Sequence, residues 1–148
     1  MKKIVEIVLF IVLFAWQLPQ NLVGLCIMPF MGKMRLIAHR NYCFCFEGKK
    51  MLGGISLGSF AFVSRSMSKQ PEVIAHEIDG HTVDSKIFGP LYIFIIGIPS
   101  LLWAKFRNRE KHPNYYVFYT EKRANNFAGV ESVPYPGGKY YHLVFKNN

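Results

Sequence analysis

Two histidines that flank a glutamate stand one residue too far apart for an ordinary helix. His76-Glu77-Ile78-Asp79-Gly80-His81 contains the working trio of a zinc hydrolase, two metal ligands and a general base. The common helical form is H-E-x-x-H, with its histidines at i and i+4 on one face. Here they stand at i and i+5. Each residue advances a regular helix by about 100°, so these two side chains point about 140° apart. A single π-bulge within Ile78–Gly80 brings them back together, and such bulges concentrate at functional sites. Gly80 eases that backbone adjustment. In a regular helix Glu77 and His81 share a face instead, and the general base is lost. The chain must therefore fold with a bulged helix here or give up the ligand pair.

A catalytic zinc needs a third protein ligand and an open position. The best candidate is Glu121 in Thr120-Glu121-Lys122-Arg123-Ala124-Asn125, on a predicted short helix downstream. Asn125, one turn later, faces the same way and can hold a ligand histidine's free N–H through its carbonyl. Asp79 and Asp84 are alternative partners of that kind. His39, His112 and His142 read as packing or surface residues. Glu121 must lie on the same side of any membrane as His76 and His81. The apolar stretch 87–104 is broken by Pro90, Gly97 and Pro99, and is therefore read as interfacial or re-entrant rather than spanning.

That stretch belongs to a greasy chain. Of 148 residues 51% are hydrophobic and only 18% charged, which points to a lipid bilayer as partner. The net charge of +9 favours anionic lipid; the Lys and Arg residues are scattered, with no recognition-helix pattern, so nucleic acid is not expected. Cys26, Cys43 and Cys45 are odd in number and make no disulfide framework; Cys43 and Cys45 have the spacing of a metal pair but no second cysteine pair to complete it.

Residues 1–32 read as a membrane anchor or hairpin. Lys2 and Lys3 precede an apolar run long enough to span a bilayer, but Gln17-Leu18-Pro19-Gln20-Asn21 interrupts it. Either this is a kinked anchor whose amides pair with another helix, or it is a helix–break–helix hairpin near one interface. Residues 33–148 read as a single domain. Residues 35–64 are expected to be strands, with Gly53, Gly54 and Gly58 marking bulges or close backbone approaches. Ser68 and Pro71 announce a helix running to about Ile87. Tyr115–Tyr119 reads as extended, Thr120–Ala128 as a helix, Val130–Gly138 as a loop and Tyr140–Phe145 as a last strand. The expected fold is α+β and membrane-associated: an N-terminal apolar helix, a small antiparallel sheet, a zincin-like motif helix and a second short ligand helix.

Two resemblances follow from these residues. His76 to His81 resembles the H-E-x-x-G-H signature of the dipeptidyl peptidase III family of zinc exopeptidases, which carries the same extra residue. Its downstream E-E-x-x-A-D/E motif is similar to Thr120–Asn125, with Thr120 and Asn125 in place of acidic residues. This resemblance implies zinc, His76, His81 and Glu121 as ligands and Glu77 as catalytic base. A broader pattern, from Trp16–Asn21 through Gly89-Pro90-Leu91-Tyr92 and Gly97-Ile98-Pro99-Ser100 to Phe118–Glu121, resembles a family of small bacterial membrane proteins. Their motif, H-E-x-G-H, is one residue shorter, and their downstream motif ends in Ala-Asp. That resemblance implies a bacterial inner membrane location.

The leading expectation is a membrane-associated zinc metallopeptidase-like protein that hydrolyses peptide bonds through zinc-activated water, with an extended peptide paired to the strand near Gly54–Phe62. The alternatives are a catalytically degenerate structural or interaction protein, and a basic adaptor using Lys105 to Lys111 at a membrane surface.

Overall fold

The apolar N-terminal run breaks where its amides begin. In the computed structural model, which describes residues 1–147, the run forms α1 (Lys2–Trp16) and α2 (Leu18–Ile27). Pro19 lies in the first turn of α2, where a missing N–H costs no intrahelical bond. The chain bends by 86° between α1 and the helical stretch Leu18–Met31. Among the described residues no single helix is long and apolar enough to cross a membrane; this bent pair meets the length and composition only when taken together.

The amides at the break tie α2 to two other elements. Gln20 Nε2 donates to Ser85 Oγ and to the Gly89 carbonyl, both at 2.9 Å. Asn21 donates to the Phe14 carbonyl at 2.9 Å, and its Oδ1 accepts the Ser59 N–H at 2.7 Å. Trp16 Nε1 donates to the Lys86 carbonyl at 2.9 Å. The break is thus a clamp across the end of the motif helix and a β-turn.

Strands β1 (Met34–Arg40) and β2 (Cys43–Gly48) form a hairpin through Asn41 and Tyr42, whose φ values of 53° and 60° suit a type I′ turn. Strands β3 (Gly54–Leu57) and β4 (Phe60–Ser64) pair antiparallel through a turn at Gly58. The sheet order is β1-β2-β4-β3, and β2 pairs with β4 in parallel. The expected all-antiparallel sheet is therefore corrected to a mixed one. The reason lies in β4: every residue of Phe60–Ser64 is buried, as suits a central strand with both faces covered. Strand β3 is left at the edge.

Pro71 opens α3 (Pro71–Ala75), which runs through a π-helical segment (His76–His81) into α4 (Thr82–Phe88). Ser68 does not cap this helix; its hydroxyl donates to Glu47 at 2.5 Å. Ile78 seats the π segment on the sheet, fully buried against Cys43, Cys45, Ala61 and Val63. Burying such a side chain is worth about 1.5–3 kcal/mol.

Residues 89–106 fold as a 3₁₀ turn (Gly89–Leu91), a π stretch (Ile93–Gly97) and α5 (Ile98–Phe106). Tyr115–Val117 is a 3₁₀ turn rather than extended chain, and α6 is Tyr119–Ala128. The expected loop after Val130 instead begins with β5 (Val130–Pro134), paired antiparallel with β6 (Tyr141–Phe145). Its signal was hidden by the prolines and glycines beyond it: Val130 and Leu143 are buried against Val73 and Ala75 of α3. The fold is mixed α+β with a small sheet, and the motif helix lies between that sheet and α6.

Candidate metal centre

The i and i+5 spacing is accommodated by the π-helical segment, which spans the whole motif rather than a single residue. Its wider turn places the rings of His76 and His81 with centroids 4.7 Å apart. Gly80 has a further role beyond backbone freedom. A Cβ at this position would lie 2.6 Å from the Ala124 carbonyl oxygen, so glycine lets α6 pack directly on the π segment. That contact brings Glu121 to the histidines. Glu121 Oε2 lies 3.2 Å from His76 Nε2 and 3.5 Å from His81 Nε2, and all three side chains are buried. The three donor atoms lie within 4.8 Å of one another.

The surrounding bonds orient this group. His76 Nδ1–H donates to Asn125 Oδ1 at 2.7 Å. A carbonyl oxygen only accepts, so Nδ1 carries a proton and the ring is held with Nε2 turned toward Glu121. Glu121 Oε1 accepts from the hydroxyls of Ser100 at 2.5 Å and Thr120 at 3.2 Å, leaving Oε2 toward the histidines. Two imidazole nitrogens gathered around one carboxylate oxygen in a buried site form a group that could hold a cation. Burial alone pushes His81 down, but the charge and hydrogen bond of Glu121 outweigh it and raise His81 to about 9. The same coupling, opposing a burial effect of the other sign, holds Glu121 well below the usual carboxylate range. A proton on His81 supplies the cation in one state; a divalent metal held by two imidazoles and one carboxylate supplies it in the other. The donor set of two nitrogens and one oxygen fits a metal ion.

Glu77 stands beside this group but outside it. Ser56 Oγ–H reaches Glu77 Oε2 at 2.5 Å and the Glu77 carbonyl at 3.1 Å. The other carboxylate oxygen lies against Gly54, where a Cβ would come within 2.0 Å of it. Edge strand β3 thus holds the glutamate by a hydroxyl and by a missing side chain. Glu77 and the histidine–glutamate group share one cleft of about 430 Å³, bounded by β3, the motif helix, α5 and Tyr115–Tyr116. Burial first, then the charge of Glu121, pushes the Tyr115 and Tyr116 phenols up, so both stay neutral donors.

The structure brings His76, His81, Glu121, Glu77 and Asn125 together. Asp79 is different. Expected beside the histidines, it turns to the β1–β2 hairpin, where Arg40 Nη2 donates to it at 2.5 Å and Asn41 Nδ2 at 2.6 Å. The π segment gives successive residues different faces, and Asp79 falls on the hairpin side. Asp84 is fully buried; its Oδ1 accepts from Arg123 at 2.7 Å, while its Oδ2 and His81 Nδ1 are buried without a hydrogen-bond partner. His39 stacks on Phe44, His142 on Tyr135, and His112 lies against Trp103, away from the centre. Cys43 and Cys45 are buried free thiols in the core under Ile78 and join no metal-ligating cluster among the described residues.

Compared with known proteins, the chain matches no family model, no curated protein and no solved structure. Function must therefore be argued from the site. Sequence reasoning missed Ser56, Ser100 and the specific role of Gly54. Gly54 carried a signal, since a strand glycine implies close approach, but nothing in the sequence names Glu77 as the neighbour. Ser100 follows Pro99 in an apolar helix, and only the tertiary fold points its hydroxyl at Glu121.

Proposed function

We propose that the protein is a membrane-associated zinc metallopeptidase-like hydrolase. The observation that carries this reading is the convergence of His76, His81 and Glu121 at 3.2 and 3.5 Å in a cleft that also holds Glu77. Zinc, when bound, supplies Lewis acidity toward water and a substrate carbonyl. His76, His81 and Glu121 would hold it, with His76 oriented by Asn125 and Glu121 by Ser100 and Thr120. Glu77, steadied by Ser56, takes a proton from the attacking water as its oxygen bonds to the carbonyl carbon. It delivers that proton to the leaving nitrogen as the C–N bond breaks, so the products are a carboxylic acid and an amine, which exchange the remaining proton to become carboxylate and ammonium. Tyr115 and Tyr116 line the cleft as neutral phenols. The resemblance to H-E-x-x-G-H zinc exopeptidases supports the same roles.

Membrane residence is supported by exposed apolar side chains along α1, among them Ile4, Ile7, Val8, Ile11 and Val12, and on α5 by Leu101, Leu102 and Phe106. Lys2 and Lys3 open α1, and Lys105 to Lys111 stand at and beyond the end of α5, as suits anionic lipid. The resemblance to small bacterial membrane proteins suggests the inner membrane.

Metal analysis of the purified full chain tests the centre. One equivalent of zinc is expected, lost in His81→Ala and kept in Glu77→Gln. Hydrolysis of a peptide library by wild type should fall by about 10²–10⁴-fold in Glu77→Gln, the usual value of a positioned general base. Iron in place of zinc would redirect the chemistry, and a protein that takes up no metal would overturn the reading. Co-flotation with anionic liposomes tests the membrane part.

A further inference from the structure

The cleft above the metal-ligand group opens through an apolar rim. Val23 of α2 and Ile98 and Leu101 of α5 line the cleft, and all three are also exposed, at 42%, 42% and 61%. Neighbouring positions in the chain are exposed and apolar too: Leu22 on α2, Phe94 in the π stretch and Leu102 on α5. The floor carries His76, Glu77, His81 and Glu121. A polar chain passing this rim would leave groups unpaired, whereas an apolar chain gains by the surface it buries.

One wall of the cleft adds a second kind of recognition. The Ser64 N–H donates to the Gly53 carbonyl, so the backbone of Gly53 is turned toward β4. Along a strand the backbone groups alternate, and those of Gly54 and Ser56 are turned to the open edge that lines the cleft. The Ser56 carbonyl already accepts the Tyr92 hydroxyl at 3.0 Å. The Gly54 N–H and carbonyl remain on that edge as a donor and an acceptor with the spacing of a β ladder. An extended polypeptide can pair with them; an acyl chain cannot.

Building on the metallopeptidase reading, we infer that the substrate is an apolar stretch of polypeptide, admitted in extended form between Val23 and Ile98–Leu101 and paired with the edge at Gly54. Glu77, whose carboxylate lies against Gly54, then stands beside the paired backbone.

Photocrosslinking of the full chain tests this inference. The Glu77→Gln protein, zinc-loaded and reconstituted in vesicles of phosphatidylglycerol and phosphatidylcholine, is offered short benzophenone peptides of equal length. One is built of Leu, Val and Ala, the other of Ser, Gln and Gly. The apolar peptide should label the rim and β3, and the polar one should not. Leu101→Glu, a change at an exposed site, should lower labelling by about tenfold, as expected when one large apolar contact is lost, with zinc content unchanged. Equal labelling by both peptides, or an unaffected Leu101→Glu, would overturn the inference. So would a benzophenone fatty acid that labels the same residues and displaces the peptide. Selective labelling in a protein that holds no zinc would keep the access route and remove the metallopeptidase reading; zinc uptake without selective labelling would do the reverse.

Discussion

Glu77 owes its position to a side chain that residue 54 lacks. A methyl group on Gly54 would occupy the space of the Glu77 carboxylate, 2.0 Å from its oxygen. The carboxylate is the free end of a flexible side chain, so it would move rather than unfold the protein. Gly54→Ala is expected to keep its metal and its thermal stability while losing about 10²-fold in kcat/KM, the scale of a misplacement near 1 Å. Parallel metal analysis and kinetics separate this from a folding defect. At this scale the sequence was legible in part. His76, His81, Glu77 and Glu121 could be named from residue type and spacing, because metal ligation and general-base chemistry demand particular side chains. Ser56 and Ser100 could not, since a serine becomes significant only through what its hydroxyl reaches. Asp79 was misplaced for a related reason: its chemistry suited a histidine partner, but Arg40 and Asn41 are the groups that meet it.

The centre is assembled where α6 crosses the π segment. Gly80 allows this crossing, because any Cβ there meets the Ala124 backbone, which cannot swing aside. Gly80→Ala should separate Glu121 from the histidines. It is expected to weaken metal binding at least as much as it lowers stability, by about 1–3 kcal/mol for overpacking; isothermal titration with zinc and chemical denaturation measure the two. The clamp at the N-terminal bend is the other element-scale device. Asn21 bonds the β3–β4 turn and Gln20 the end of α4. Asn21→Ala leaves a buried Ser59 N–H unpaired and should cost about 1–3 kcal/mol in denaturation. The break after Trp16 and the start at Pro71 were readable from proline, and the α6 helix from the acidic residue near its start. The parallel pairing of β2 with β4 was not, because strand order depends on which faces become covered rather than on any local pattern.

For the whole molecule, the charge in the centre links metal, pH and stability. In the metal-free protein His81 is raised from 6.5 to about 9. A raised histidine contributes stability that is fully present below pH 6.5 and lost as the pH rises through about 9. Glu121 is held well below 4.5, so its contribution is present above that value and lost only on acidification beneath it. The Tm of the metal-free chain should therefore fall between pH 6.5 and 9. Metal must displace the His81 proton, so the stabilisation that zinc adds should grow across the same window. Thermal melts with and without chelator, over that range, check both slopes; a flat metal-free curve would show that His81 does not carry the proton.

The sequence by itself determined the candidate ligand types, the off-by-one spacing that sets a bulged helix against a lost ligand pair, the break in each apolar run and the α+β character. These follow from local chemistry and periodicity, which act over a few residues. The tertiary structure alone decided that α2 from the first apolar run and α5 from the second line one cleft. It alone placed the edge of β3 against Glu77 and passed α6 close enough to deliver Glu121. Each of these depends on contacts between segments some twenty to seventy residues apart. Their cause is joint burial: Ile78 on the sheet and Gly80 on α6 fix the motif helix from two sides, and neither contact has a local signature.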